Sequence, residues 1–558
     1  MRVIIARARN LCYNYRMQRE DYPIPNFIRP RFKSLDGEWN LKLLSSDSTT
    51  SYVTTTPAEL GSYASGVDSI EGIHTAVYEK TFEINASEIL GTTILNFISL
   101  SSYAEIYVND LLITQNVGRM HSVHLDISNA IKEGTNSLKV VTMRSLEENV
   151  PLGILGEVWI EFSAKSYFGS IRTYGSLMDR NIYIQGSIAG ETEGYKVKVE
   201  IVYNKMPVAT YEYRAQSMLN LSANLKTQTV FLWQALDPRF YELRLSLYNE
   251  KGGQCDQVYT YCAFRTVSLL DNKLYINGQP TFIRAVEVDG VYPHSGLVPS
   301  SSKAIAQDYA SAIMLGFNTL HFNRYPTPRE LYVADKLGLM VRASLGGEQQ
   351  NTDLPENFNY FATEAQMTLS RDFGHPSLII NVPFTNYSGS AIVQTSTYKL
   401  LKQTDGTRLV SISGGDLYAT DFYEFREDSG DVEEIREWFI YRFNGVKLSE
   451  RDDAKRRKAN PDLITESQLR TMPFYVGSIK ATKLRPNDYY QESLFVSSFA
   501  SQVDLIMENG AIGFTFSKLY DNTNENHGFL TANRDFKISR DGIAKIRAIN
   551  KRKALIEQ

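Results

Sequence analysis

A chain of 558 residues exceeds what one hydrophobic core supports, and its length predicts about three or four domains. With 43% hydrophobic and 12% aromatic residues it excludes disorder. Its 59 basic and 63 acidic side chains, a formal charge of −4, leave no basic field for nucleic acid or anionic lipid.

The opening stretch, residues 1–10, has Arg2, Arg7 and Arg9 interrupting its apolar residues, so it lacks the apolar core of a signal peptide. No window offers the roughly 18 uninterrupted apolar residues of a membrane helix, so membrane insertion is not expected. The cytoplasm is the default location, with export by another route left open. Cys12, Cys255 and Cys262 form an odd set without C-x-x-C spacing. Neither a disulfide framework nor a zinc site is expected from them, and free thiols are the expectation for Cys255 and Cys262.

In chain order, residues 1–21 read as an extension. Residues 22–165 carry short alternating runs with turn signals, such as 104–110 followed by 111–113, which predict an antiparallel β-sandwich. Residues 166–267 read as a second, smaller β-sandwich, since 196–203 and 241–247 alternate strictly. From 268 to 558 the rhythm changes to short apolar strands separated by helical stretches, the mark of a parallel (β/α)8 barrel. Strands are expected at 282–286, 319–322, 339–342, 378–380, 409–412, 474–476 and 511–514. Helices are expected over 303–315, 328–337 and 360–373. A barrel of this kind places working residues where its strands run out into loops.

The run Gly374-His375-Pro376-Ser377-Leu378-Ile379-Ile380-Asn381-Val382-Pro383-Phe384-Thr385-Asn386-Tyr387-Ser388 resembles an active-site strand of glycoside hydrolase family 2. That family includes β-galactosidases, β-glucuronidases and β-mannosidases, and its strand reads N-H-P-S-I-I-x-W-V-P-F-N-E-S. The resemblance extends to an opening signature matched by Tyr22, Pro23, Pro25, Arg29, Leu35, Gly37 and Trp39. A closing signature, G-I-W-x-x-V-W-L-E, is matched by Gly153, Ile154, Val158, Trp159 and Glu161, with Leu155 in place of the inner Trp. Residues 331–339 are similar to the family's L-Y-W-A-D-x-L-G-L helix, and Asp521, Glu525, Gly528 and Phe529 to its last loop. The resemblance implies a sugar-binding-like jelly roll, an immunoglobulin-like β-sandwich and a C-terminal TIM barrel.

The same resemblance implies lost chemistry. The family's acid/base Glu falls on Asn386, preceded by Thr385, and its nucleophile Glu aligns with Ser478. An amide neither delivers nor takes a proton at neutral pH, and a serine lacks the charge that opposes an oxocarbenium-like transition state. His321 stands where the family commonly has Arg or another basic residue, and Arg342-Ala343-Ser344 replaces a W-E-D or W-D-E triplet. Acids that would take over are Glu287, Asp289, Asp416, Glu424, Asp521 and Glu525, with Asp416 and Glu424 read as loop residues after the fifth strand. Tyr292, Tyr387 and Tyr423 are candidates for stacking on a sugar.

The leading expectation is a degenerate family homologue acting as a structural or interaction subunit, with a protein partner or a second copy of itself. A non-catalytic carbohydrate-binding protein and a divergent β-glycosidase with relocated carboxylates are the alternatives. The scattered histidines give no metal spacing, and no cofactor is expected.

Overall fold

The computed structural model describes residue 19 and residues 22–101, 103–117, 121–144, 151–225, 229–346, 352–385, 389–413, 416–426, 430–444, 463–522 and 525–558. Near the N-terminus, strand Gly37–Leu44 buries every second side chain, so its apolar positions face inward and its polar ones face water. It belongs to a six-stranded antiparallel sheet that packs on a four-stranded one built from Phe32–Ser34, Val158–Ser163, Thr92–Phe97 and Val123–Asp126. Trp39, Leu41, Leu95, Phe97, Ile106, Val140 and Ile160 fill the space between them. This is the sandwich expected for the first third of the chain.

A second antiparallel pair of sheets follows. Tyr167–Ser176, Asn181–Ala189 and Met218–Asn224 form one, and Met206–Arg214, Lys196–Tyr203, Tyr241–Tyr248 and Gln254–Cys262 form the other. Cys255 and Cys262 lie on the same strand and are free thiols.

The remaining strands form an eight-stranded parallel sheet curled into a barrel. They are β1 (Ile283–Val288), β2 (Thr319–Phe322), β3 (Met340–Ser344), β4 (Leu378–Phe384), β5 (Leu409–Ile412), β6 (Tyr423–Phe425), β7 (Phe474–Ile479) and β8 (Gly513–Phe516). Around them lie α1 (Ser302–Met314), α2 (Pro328–Leu337), α3 (Pro355–Arg371), α4 (Ala391–Thr404), α5 (Val432–Asn444), α6 (Glu466–Thr471), α7 (Tyr489–Glu508) and α8 (Arg540–Asn550). Helix α2 starts on a capping box, Thr327 Oγ1 accepting from Glu330 N at 3.3 Å while the Glu330 carboxylate accepts from Thr327 N at 2.7 Å. It stops at Gly338, whose φ of +71° suits a left-handed cap. Helix α3 begins earlier than expected, because Pro355 fixes the first helical turn.

Two differences from the sequence reading matter for the site. Strand β6 was not expected: three residues show no period. Glu424 therefore lies within a strand rather than on a loop after β5. Secondly, the ladder order runs β5-β4-β3-β2-β1-β8-β7-β6, and among the described residues no ladder joins β5 to β6. One backbone bond, Asp421 N to the Val410 carbonyl at 2.9 Å, and three side chains close that seam: Asp421 Oδ2 accepts from Val410 N at 2.6 Å, Thr420 Oγ1 from Ile412 N at 3.2 Å, and Ser411 Oγ donates to Glu424 at 2.8 Å.

Polar clamps join the three bodies. Arg29 pairs with Glu161 of the first sandwich and with Asp256 of the second at 3.0 Å, and Tyr22 and Trp159 both donate to Glu161. Asp335 of α2 accepts from Tyr261 of the second sandwich at 2.6 Å, meets His375 Nδ1 at 2.6 Å and caps Ser377 N at 2.8 Å. Arg329 of α2 reaches Glu157 of the first sandwich at 3.0 Å. Glu59, also of the first sandwich, accepts from Leu297 N in the loop after β1 at 2.8 Å.

Candidate active site

The barrel interior is polar where strands from opposite sides meet. Arg342 on β3 pairs with Glu424 on β6, both side chains fully buried. Its other nitrogen approaches His321 Nδ1 on β2 at 3.2 Å, and its guanidinium lies 5.1 Å from the centre of the Tyr475 ring on β7. Tyr475 OH meets Thr515 Oγ1 on β8 at 2.7 Å, and Thr515 in turn lies 3.3 Å from His321 Nδ1. Burial, reinforced by Arg342 and Arg426, holds His321 well below the usual histidine range, so its ring is neutral at pH 7. Glu424 packs directly on Gly477, where an added Cβ would fall 2.2 Å from its carboxylate oxygen. Arg426, just past β6, approaches the same carboxylate at 3.7 Å.

Nearer the mouth, Lys518 after β8 gathers three carboxylates. It bonds both oxygens of Asp289 at 3.0 Å, lies 3.7 Å from Glu287 and pairs with Glu525. Asn323 donates to Glu287 at 2.7 Å and Asn522 to Asp289 at 2.8 Å. Burial pushes the Glu287 carboxyl above its ordinary range, with Lys518 and Asn323 pulling the other way. Burial likewise works against the Lys518 charge, but Asp289, Glu525 and Glu287 prevail and hold it above the usual lysine value. Glu287, Asp289 and Glu525 thus meet around one cation, which sequence spacing did not reveal. A lysine two residues past an apolar strand was the available signal.

The other residues singled out in the sequence stand apart from this cluster. Asp521 bonds Lys537 at 2.8 Å and caps Gly528 N, so it shapes the last loop. Asp416 lies on the connection between β5 and β6, its carbonyl accepting from Gln394 at 2.9 Å. Tyr292 is buried with its hydroxyl on Glu330 at 2.8 Å, and Tyr423 stacks on Trp438 of α5. Ser478 is buried at the end of β7, and Thr385 lies half-buried just past β4. Asn386 and Tyr387 lie outside the described residues, as do Cys12 and the charged run 450–458. Among the described residues no group of three or more metal-ligating side chains is placed to hold a cation. No helix among them is long and apolar enough to cross a membrane.

A cleft of about 420 Å³ opens between the first sandwich and the barrel mouth. Asp289 and Asn323 line one part, Arg324 and Arg371 another, and Ile98, Leu155, Val291, Leu297 and Leu345 supply apolar walls. Both arginines are already engaged, Arg324 by Glu330 and Arg371 by Asp372.

The profile of "Glycosyl hydrolases family 2, TIM barrel domain" matches residues 267–548, the whole barrel. The chain belongs to glycosyl hydrolase family 2. A β-galactosidase of Aeromonas hydrophila subsp. hydrophila is 32% identical over 221 residues, 38% of this chain and 21% of the relative. A β-galactosidase of Enterobacter cloacae is 24% identical over 375 residues, 61% of this chain and 36% of the relative. The chain spans about a fifth to two fifths of the length of the curated relatives it matches. Among solved structures, β-glucuronidase from Ruminococcus gnavus superposes with a TM-score of 0.75 at 16% identity, over 95% of this chain and 99% of that chain. A β-D-glucuronidase of Dictyoglomus thermophilum gives 0.75 at 16%, over 96% and 100%. At that identity the likeness establishes the shared fold.

Proposed function

We propose that this family 2 chain binds a glycoside at the mouth of its barrel and does not hydrolyse it by the two-carboxyl route. The observation that carries the reading is the state of the remaining acids. Glu424 lies in a buried pair with Arg342, and Glu287 and Asp289 share Lys518. A nucleophilic carboxylate must reach the sugar's anomeric carbon, whereas Glu424 is buried against Arg342 and Glu287 and Asp289 are drawn onto Lys518. The replacements at Asn386 and Ser478 support the same reading, and the cleft beside Asp289 and Asn323 offers room and hydroxyl partners for a sugar. The role of structural or interaction subunit expected from the sequence has no comparable feature behind it.

The test is turnover and binding of a panel of β-galactosides, β-glucuronides and β-mannosides. The wild-type chain is expected to bind at least one of them without turnover, and Asp289→Ala to weaken that binding. Weak turnover in an Asn386→Glu, Ser478→Glu double variant would strengthen the reading. Wild-type turnover overturns it.

One observation favours a second reading, hydrolysis with relocated acids. Burial raises the Glu287 carboxyl, as it does for a general acid. Under that reading wild-type turnover is present and Glu287→Gln abolishes it.

A further inference from the structure

The first sandwich meets helix α3 of the barrel beside a histidine whose hydrogen bonding is unfinished. Arg371, at the end of α3, donates from Nη1 to Ser122 Oγ of the sandwich at 3.0 Å, while Asp372 accepts from its Nε at 2.8 Å. Next to that bond stands His121. Its side chain is 11% exposed, and its Nδ1 is buried with no hydrogen-bond partner among the described residues. Glu364 Oε1 of α3, on a side chain 2% exposed, lies 3.9 Å from that nitrogen, too far for a hydrogen bond and near enough to sense its charge. A buried polar atom without a partner is uncommon and calls for a reason. Among the described residues, the charged and titratable groups that act on the ring are Glu364 and Arg371 from α3, with His124 beside it on the strand Val123–Asp126.

Histidine is the side chain whose ordinary titration falls between pH 5 and 8. With the contact closed, burial works first against the protonated ring, Glu364 favours it and Arg371 opposes it, and the ring is held below the usual histidine range. With the contact opened, the ring is solvated and takes its proton at the ordinary value. The proton therefore binds the open form more readily, so the contact is whole at neutral pH and is undermined as pH falls through the histidine range. The geometry points to His121 as an acid-operated latch between the first sandwich and α3, released when its ring is protonated. One proton sets the scale: between pH 7.5 and 5.5 the ratio of open to closed contact rises by about tenfold at most. Arg371 also lines the cleft, together with Ile98 and Leu155 of the sandwich, so a ligand that touches both bodies opposes the release. That last step rests on the glycoside-binding reading above.

The test needs no ligand. Ser122→Cys places a thiol at the contact, where Ser122 is 6% exposed, in a chain whose Cys12 and Cys255 are replaced by Ser and whose Cys262 is fully buried. Its labelling by 4,4′-dithiodipyridine, which reacts with thiols in acid as well as at neutral pH, is timed with and without His121→Asn, and with His121→Gln as a second uncharged replacement. The ratio of rates, His121 chain over either variant, is expected to rise about three- to tenfold from pH 7.5 to pH 5.5. Thiol chemistry and the other titrating groups act alike in all three chains and cancel in that ratio. A ratio that stays constant overturns the latch. A ratio that falls overturns it as well, because protonation then draws the ring onto Glu364 and tightens the contact. So does a thiol that stays unlabelled at pH 5.5. Glycoside binding is measured separately, and its absence would remove the link to the cleft while leaving the latch to stand or fall on the thiol.

Discussion

Arg342 and Glu424 are opposite charges enclosed on all sides, so deleting one leaves the other buried without its close counter-charge, with Ser411 and the more distant Arg426 still beside Glu424. Such a change costs about 3–5 kcal/mol. Arg342→Met is expected to lower the urea-unfolding free energy by that amount, and adding Glu424→Leu to recover most of it. Asp36 offers a pH-dependent counterpart. Burial and then the neighbouring Glu157 push its carboxyl up to about 7, with Val158 N and Arg329 opposing. The folded chain takes up this proton more readily than the unfolded one, so the stabilisation is complete near pH 4 and disappears as pH rises through about 7. Asp36→Asn is expected to flatten that part of the stability-against-pH curve, read from thermal melts between pH 5 and 8. Neither pair was legible in the sequence. Arg342 was visible only as the loss of an acidic triplet, because its partner stands 82 positions away, and nothing local records a contact across a barrel.

Helix α2 carries two of the clamps, Arg329 and Asp335, and its first turn depends on Thr327. Thr327→Ala leaves the Glu330 amide without its acceptor and is expected to cost about 1 kcal/mol, measured by chemical denaturation. Here the sequence was informative, since the helical stretch expected over 328–337 matches the helix Pro328–Leu337. The first four barrel strands were legible as apolar runs, and three later ones were placed from the remaining spacing, the last of them two residues early, at 511–514 against Gly513–Phe516. Strand β6 was not. It is three residues long, and its central residue is a glutamate made tolerable inside by Arg342 of β3, with Ser411 and Arg426 beside it. A propensity reading places such a residue in a loop, and the tertiary ion pair overrides it.

At the scale of the whole chain, the conserved-looking fragments of the two signatures prove to be one object. Tyr22, Arg29, Trp159 and Glu161 come together in a buried cluster where the two sandwiches touch, completed by Asp256. The tryptophans at 39 and 159 are both packed in the interior. Arg29→Met would leave Glu161 and Asp256 facing each other without their shared cation. It is expected to cost about 3 kcal/mol or more and to split a single calorimetric transition into two. Signatures are legible because their residues lie close in sequence. The cleft is not, since it is assembled from residues 98–99, 151 and 155 on one body and the loops after β1, β2 and β3 on another.

The seam between β5 and β6 sets a timetable as well as a shape. Backbone ladders hold every other neighbouring pair of strands, whereas here the amides of Val410 and Ile412 rest on the side chains of Asp421 and Thr420. A side chain can swing away without the sheet coming apart, so these amides are released by small local openings while those shared by β1 and β8 wait for a larger one. In heavy water, deuterium should therefore enter the barrel along this line first, and replacing Asp421 with Ala should bring the label to Val410 sooner still.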